Sequence, residues 1–214
     1  MEFLPKEIDN YVAAHTSPES ELLNQLNRET HLKVLIPRML SGHIQGKIIS
    51  TFSHMIKPKR ILEIGTYTGY SALCWAEGLT DDGKIITIDN NVELEKMCRE
   101  YFAKSPHNSK IDLRIANAME LIPTLKEKWD IVFIDADKHN YLNYFDMVID
   151  NMNKGGFIIA DNVLWSGRIL FELDKMDKDT RALYDYNNKV MNDQRVEPVL
   201  FPVRDGMMVC RMKN

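Results

Sequence analysis

Arg60-Ile61-Leu62-Glu63-Ile64-Gly65-Thr66-Tyr67-Thr68-Gly69-Tyr70-Ser71 decides how the rest of the chain is read. A short apolar run stops at a glycine, a second glycine follows, and the pattern turns amphipathic. That is how a buried strand hands over to a helix. Four further runs repeat the texture: Ile85-Ile86-Thr87-Ile88, Ile111-Asp112-Leu113-Arg114-Ile115, Ile131-Val132-Phe133-Ile134 and Phe157-Ile158-Ile159-Ala160. Most are apolar on both faces, as strands of a parallel sheet covered by helices on both sides must be. The last segment differs. Pro198 to Val203, the Arg204-Asp205-Gly206 turn and Met207 to Met212 read as a hairpin, which adds an antiparallel pair at the sheet edge.

Upstream, the first third reads as helical. Ser17 is predicted to cap a helix with Pro18 at its first position, Glu19 and Glu21 in its first turn, and Leu22, Leu23 and Leu26 at helical spacing. A second helix is predicted from Gly42 to Lys57. The chain is therefore read as a single α/β domain over residues 1–214, with helices over 1–58 preceding a doubly wound core over 59–214.

With 214 residues, 44% hydrophobic and 27% charged, the chain supports one full core. A net charge of −4 provides no global basic field for a nucleic-acid backbone or an anionic membrane. Lys57, Lys59 and Arg60 are the one local basic cluster singled out. Cys74, Cys98 and Cys210 form no C-x-x-C pair, so neither a disulfide framework nor a cysteine zinc site is supported, and buried inert thiols in a cytoplasmic protein are expected. The N-terminal MEFLPKEIDNYVAAH lacks a basic region with an apolar run behind it, and no stretch approaches the ~18 apolar residues of a membrane span.

Ligands of open parallel sheets bind at the carboxyl ends of the strands. The polar residues there are Glu63, Gly65, Asp89, Asn117, Asp135, Asp137, Asp161 and Asn162. The first turn is not the dinucleotide fingerprint G-x-G-x-x-G, because Glu63 stands at its first glycine. An acid there repels a pyrophosphate and suits a positively charged ligand, such as the amino group or sulfonium of S-adenosylmethionine (SAM). Asp89 falls about 20 residues on, where a ribose-binding acid belongs. Asp135 and Asp161-Asn162 follow adjacent apolar runs, so a parallel sheet brings them face to face. Two carboxylates and an amide oxygen are hard donors, favouring Mg²⁺ or Ca²⁺ over Zn²⁺. The plainer uses are a helix-capping turn for the glycines and caps for the acids.

Taken together, EIGTYTGYSA, IDADKHNY, GGFIIADNVLWSG and FPVRDGMMVCR resemble the cation-dependent class I O-methyltransferases, the group of catechol and caffeoyl-coenzyme A O-methyltransferases, in order and spacing from about Met39 onward. The resemblance implies a Rossmann-like, mostly parallel seven-stranded sheet with one antiparallel edge strand, and a homodimer. By position Glu63, Gly65, Tyr70 and Ser71 line the methionine and ribose of SAM, Asp89 holds the ribose hydroxyls, Asn117 and Ala118 border the adenine, and Asp137 lies near the methionyl end. Met39 and Ser41 resemble the segment that folds over SAM. Asp135, Asp161 and Asn162 match the metal ligands, for Mg²⁺ with Mn²⁺ or Ca²⁺ as alternatives, Asp135 also bordering SAM. Lys138 matches the catalytic base beside the acceptor, with Met39 and Trp165 at the acceptor pocket. Tyr186 is a further stacking candidate whose alternative is the core. Asn117 departs from the glycine or acid of many relatives, and Leu170 to Arg181 departs from the plant substrate loop.

A phenol-like hydroxyl ionises at ~10 and a free lysine at ~10.4, so neither is substantially deprotonated at pH 7. A coordinated cation supplies most of the acidity, with Lys138 taking the proton. His139 competes as base, but a neighbour on the same turn points away. The acceptor expected is a small hydroxylated aromatic, catechol-like or phenylpropanoid-like, with no membrane partner. The rival is a hydroxylated uridine in tRNA, against which the acidic balance weighs.

Overall fold

The computed structural model describes residues 5–213. Its strands form a seven-stranded mixed sheet in the order β3-β2-β1-β4-β5-β7-β6, with helices around it. Internal contacts group the chain into two compact units, Pro5–Asn117 and Ala118 onward.

The first unit carries α1 (Lys6–Ala14), α2 (Glu21–Lys33), α3 (Gly42–Ile56), β1 (Arg60–Ile64), α4 (Tyr70–Ala76), β2 (Lys84–Asp89), α5 (Glu95–Lys104) and β3 (Ile111–Ile115). β1 pairs parallel with β2 and β2 with β3; β1 and β2 are the runs buried on both faces, and β3, alternating in Asp112 and Arg114, lies outside them. The cap of α2 is Ser20, whose hydroxyl accepts from Leu23 N at 3.3 Å, and not Ser17; Pro18 lies outside the helix. The reason is tertiary. Glu19 accepts from Tyr70 Oη at 2.5 Å and from Asn27 Nδ2 at 3.3 Å, which holds residues 17–20 extended until Ser20 can cap. α3 ends one residue before Lys57, which takes a left-handed conformation (φ 52°) at the cap. Every residue of α4 is buried. It lies so close to α3 that Ser53 Oγ reaches the Trp75 carbonyl at 2.6 Å. A Cβ on Gly78 would stand 2.2 Å from the Ser53 carbonyl carbon, so only glycine permits that approach.

The second unit carries α6 (Ala118–Leu121), β4 (Trp129–Ile134), α7 (Tyr141–Val148), β5 (Met152–Asp161), α8 (Lys178–Asn192), β6 (Val196–Phe201) and β7 (Met207–Met212). β4 and β5 run parallel with Ile134 opposite Ala160. The antiparallel strand is β7, paired with β5 on one side and with β6 on the other. The hairpin read from the sequence is therefore present, with β6 outermost. The Asp177 carboxylate caps α8 by accepting from Thr180 N at 2.8 Å. Leu183, Tyr186 and Val190 turn its apolar face inward.

Candidate active site

In the first unit the turn after β1 is built from left-handed residues: Gly65 (φ 104°), Tyr67 (φ 51°) and Gly69 (φ 89°). Gly65 N donates to Ile88 O at 2.9 Å and Gly69 N to Thr66 O at 2.8 Å. Asp89 organises the turn from the end of β2, its two oxygens accepting from Tyr67 N at 2.7 Å and Asn91 N at 2.9 Å. The Tyr67 carbonyl accepts from the thiol of Cys98, which burial above all pushes up to about 12. Tyr67 Oη reaches the Ile36 carbonyl at 3.0 Å, tying the segment that bears Met39 and Ser41 to the turn. Met39 is exposed at the end of a 3-10 turn and Ser41 is buried where α3 begins.

Glu63 is fully buried beneath the turn, where Thr87 Oγ1 donates to it and Thr66 joins Thr87 at 2.6 Å. Tyr70 is 2% exposed; its ring lies toward α3 and its hydroxyl donates to Glu19. Ser71 is buried on the first turn of α4. Asn117 is exposed just past β3.

The second unit gathers most of the chemistry predicted for it. Because Ile134 faces Ala160, Asp135 and Asp161 leave neighbouring strand ends at the same level, where strands lie ~4.8 Å apart. Lys138 is 9% exposed, and its Nζ lies 3.1 Å from Asp135 Oδ1 and 2.7 Å from Tyr141 Oη. Tyr141 Oη donates in turn to the Asp161 carbonyl at 3.0 Å. Nζ lies 4.9 Å from the Tyr141 ring centroid and 5.8 Å from that of Trp165. Burial, then the charges of Asp135 and Asp161, push the Tyr141 phenol well above its ordinary value, so it stays a neutral donor and acceptor. Asn162 is left-handed (φ 60°), so the backbone turns off the line of β5 there. The loop behind it is held by the hairpin turn: Val163 N donates to Gly206 O at 3.1 Å, Leu164 N to Asp205 O at 2.9 Å and Ser166 N to Asp205 Oδ1 at 2.5 Å.

Asp137 is exposed and engaged by Tyr144, Asn140 and His139. His139 points outward to that acid, away from Lys138's cluster. Tyr186 is fully buried, edge-on to Tyr141 with centroids 5.6 Å apart and to Phe145 at 6.1 Å. It packs as a core ring, the alternative the sequence offered for it. Tyr141 is the residue the sequence reading passed over. It closes the IDADKHNY motif three positions after Lys138, a spacing that puts two side chains on one helical face.

Among the described residues no three His, Cys, Asp or Glu side chains gather into a metal-binding group. The donor set of Asp135, Asp161 and Asn162 is two carboxylates and an amide, and as hard oxygen donors these fit a small divalent cation. Among the described residues no helix is long and apolar enough to cross a membrane.

This fold, with an acid closing β2 below a glycine turn and a lysine among strand-end carboxylates, defines a methyltransferase of the SAM-dependent class. The model of the O-methyltransferase family matches residues 13–213, and the chain belongs to that family. Caffeoyl-CoA O-methyltransferase of Petroselinum crispum is 35% identical over 204 residues, covering 90% of this chain and 84% of the relative. Caffeoyl-CoA O-methyltransferase 2 of Eucalyptus globulus is 35% identical, covering 90% and 82%. The SAH-bound methyltransferase of Podospora anserina superposes with a TM-score of 0.88 at 28% identity, over 100% of both chains. The chain is a SAM-dependent O-methyltransferase.

Proposed function

We propose that this enzyme methylates a hydroxyl of a catechol-like or phenylpropanoid-like small molecule with the help of a divalent cation, Mg²⁺ first and Mn²⁺ or Ca²⁺ as substitutes. The observation that carries the reading is Lys138: a buried amine 3.1 Å from Asp135 Oδ1 and linked through the Tyr141 hydroxyl to the Asp161 main chain. The caffeoyl-CoA acceptors named for its relatives supply the acceptor class. SAM supplies an electrophilic methyl group, and a cation held by Asp135, Asp161 and Asn162 would supply Lewis acidity toward the acceptor hydroxyl.

The chain's own residues do the rest. A neutral lysine amine has two N–H donors and one lone pair. With Asp135 Oδ1 and Tyr141 Oη taking the donors, the lone pair of Lys138 Nζ is left to receive the acceptor's proton. The freed oxygen then attacks the methyl carbon in line as the carbon–sulfur bond breaks. Trp165 would wall the acceptor. Its indole Nε1 and Thr180 Oγ1 are buried without a hydrogen-bond partner among the described residues, leaving polar groups for a ligand to meet. Glu63, Gly65, Tyr70 and Ser71 would line the methionine and ribose of SAM and Asp89 would hold the ribose hydroxyls, with Met39 and Ser41 over it, Asn117 and Ala118 at the adenine and Asp135 and Asp137 nearby.

The reading takes residues 1–214 as one catalytic domain, matched by the family over residues 13–213, and the active form as a cytoplasmic homodimer. The free, buried thiols Cys74, Cys98 and Cys210 suit a reducing compartment. The basic cluster gives tRNA little hold, because Lys59 pairs with Asp82 and Arg60 donates to the Asp82 carbonyl. The test is transfer from labelled SAM to a catechol panel and, in parallel, to tRNA lacking its modification, each with Mg²⁺ and with EDTA. Cation-dependent labelling of a catechol is expected; labelling of tRNA alone would overturn the acceptor class.

A further inference from the structure

We propose that Tyr141 is the positioning residue of Lys138: its hydroxyl bridges the lysine amine to the Asp161 main chain and so fixes where Nζ stands relative to the strand end. This rests on the reading of Lys138 as the base. A four-carbon side chain has many rotamers, and burial alone does not select one. Asp135 contributes one anchor at 3.1 Å, but a single anchor leaves the amine free to pivot. Tyr141 supplies the second at 2.7 Å and is itself immobile. It is 0% exposed, its hydroxyl is spent on the Asp161 carbonyl at 3.0 Å, and the Tyr186 ring packs edge-on against it. Two anchors in different directions fix where the amine stands. Asp161 is a donor in the same proposal, so one phenol sets base and donor strand to a common reference. Tyr141 touches no reacting atom; it acts through Lys138.

The experiment is a cycle of Tyr141→Phe, Lys138→Ala and the double variant, each with kcat, KM for SAM and melting temperature. Beside it, competitive acylation of lysines is read by mass spectrometry on the metal-free, substrate-free full chain. Tyr141→Phe keeps the ring and the packing. Its kcat is expected to fall ten- to about a hundredfold with KM for SAM within twofold. Acylation of Lys138 should rise several-fold while other lysines hold their reactivity. The double variant should be no slower than Lys138→Ala alone, because the phenol has nothing left to position. Multiplying losses in the double variant, or Lys138 acylation unchanged by Tyr141→Phe, would overturn the proposal. Full activity of Lys138→Ala would overturn the base assignment instead, and the acylation arm would still decide whether Tyr141 holds the amine.

Discussion

Gly206→Ala should unfasten the loop that carries Asn162 and Trp165. Gly206 sits in the hairpin turn at φ +84°, and an added Cβ would stand 2.4 Å from Leu164 Cγ and 2.9 Å from Leu164 Cδ1. The left-handed backbone costs an alanine about 1–2 kcal/mol. Displacing a half-buried leucine that cannot simply swing clear adds about 1–3 kcal/mol. The sum is ~3 kcal/mol, a large share of a typical domain's stability. The same turn holds the loop after β5 through the bonds to Val163, Leu164 and Ser166, so the damage is local to the second unit. Urea unfolding at 25 °C should show the loss, and isothermal titration should show SAM affinity within a few-fold while turnover falls. Leu164→Ala removes the colliding atoms but not the backbone strain. The double variant should therefore lose about 1–2 kcal/mol less than the two single losses added together. A Gly206→Ala protein within 0.5 kcal/mol of wild type, or strictly additive losses, would refute the reasoning.

Asp161→Ala should abolish cation-dependent turnover and leave SAM affinity within a few-fold; parallel loss of both, with a collapsed melting temperature, would assign Asp161 to folding. Tyr186→Phe deletes a buried hydroxyl that has no hydrogen-bond partner among the described residues, so stability should stay within about 1 kcal/mol or rise, with activity unchanged. A melting temperature several degrees lower would reveal a bond to that hydroxyl. Asp193 is held well below the usual carboxylate range, first by hydrogen bonds from Arg195, with Lys189 adding to it. An acid depressed in the folded state contributes stability above its unfolded value near 4 and loses it as pH falls through the folded one. Asp193→Asn should therefore cost about 2 kcal/mol at pH 6 and progressively less toward pH 2, read from urea midpoints. A gap that stays constant with pH would sink that account.

What the sequence could and could not convey follows from which forces are local. Most strand runs were legible because burial on both faces writes itself as continuous apolar letters, and Ile111–Ile115, where apolar and charged letters alternate, is met to the residue by its period of two. The pairing of Asp135 with Asp161 was legible too, since each directly follows a strand and the register sets Ile134 against Ala160. The start of α2 was not. Ser17 and Ser20 are equally good caps in isolation, and the choice is made by Tyr70, 51 residues from the Glu19 it binds. That same bond sets the direction of the Tyr70 side chain, which its place next to Gly69 in the motif does not convey.

Tyr141 and Tyr186 show where the limit lies. On a helix both are aromatic letters at core spacing, and both are fully buried and touch each other edge to edge. They differ in what meets the hydroxyl. Tyr141 Oη has a lysine amine on one side and a main-chain carbonyl on the other, whereas Tyr186 Oη has no such bond among the described residues. Substituting phenylalanine for each removes one oxygen atom and nearly the same volume. If the hydroxyl network positions Lys138, only the first change slows turnover, and packing, common to both, cannot produce that asymmetry.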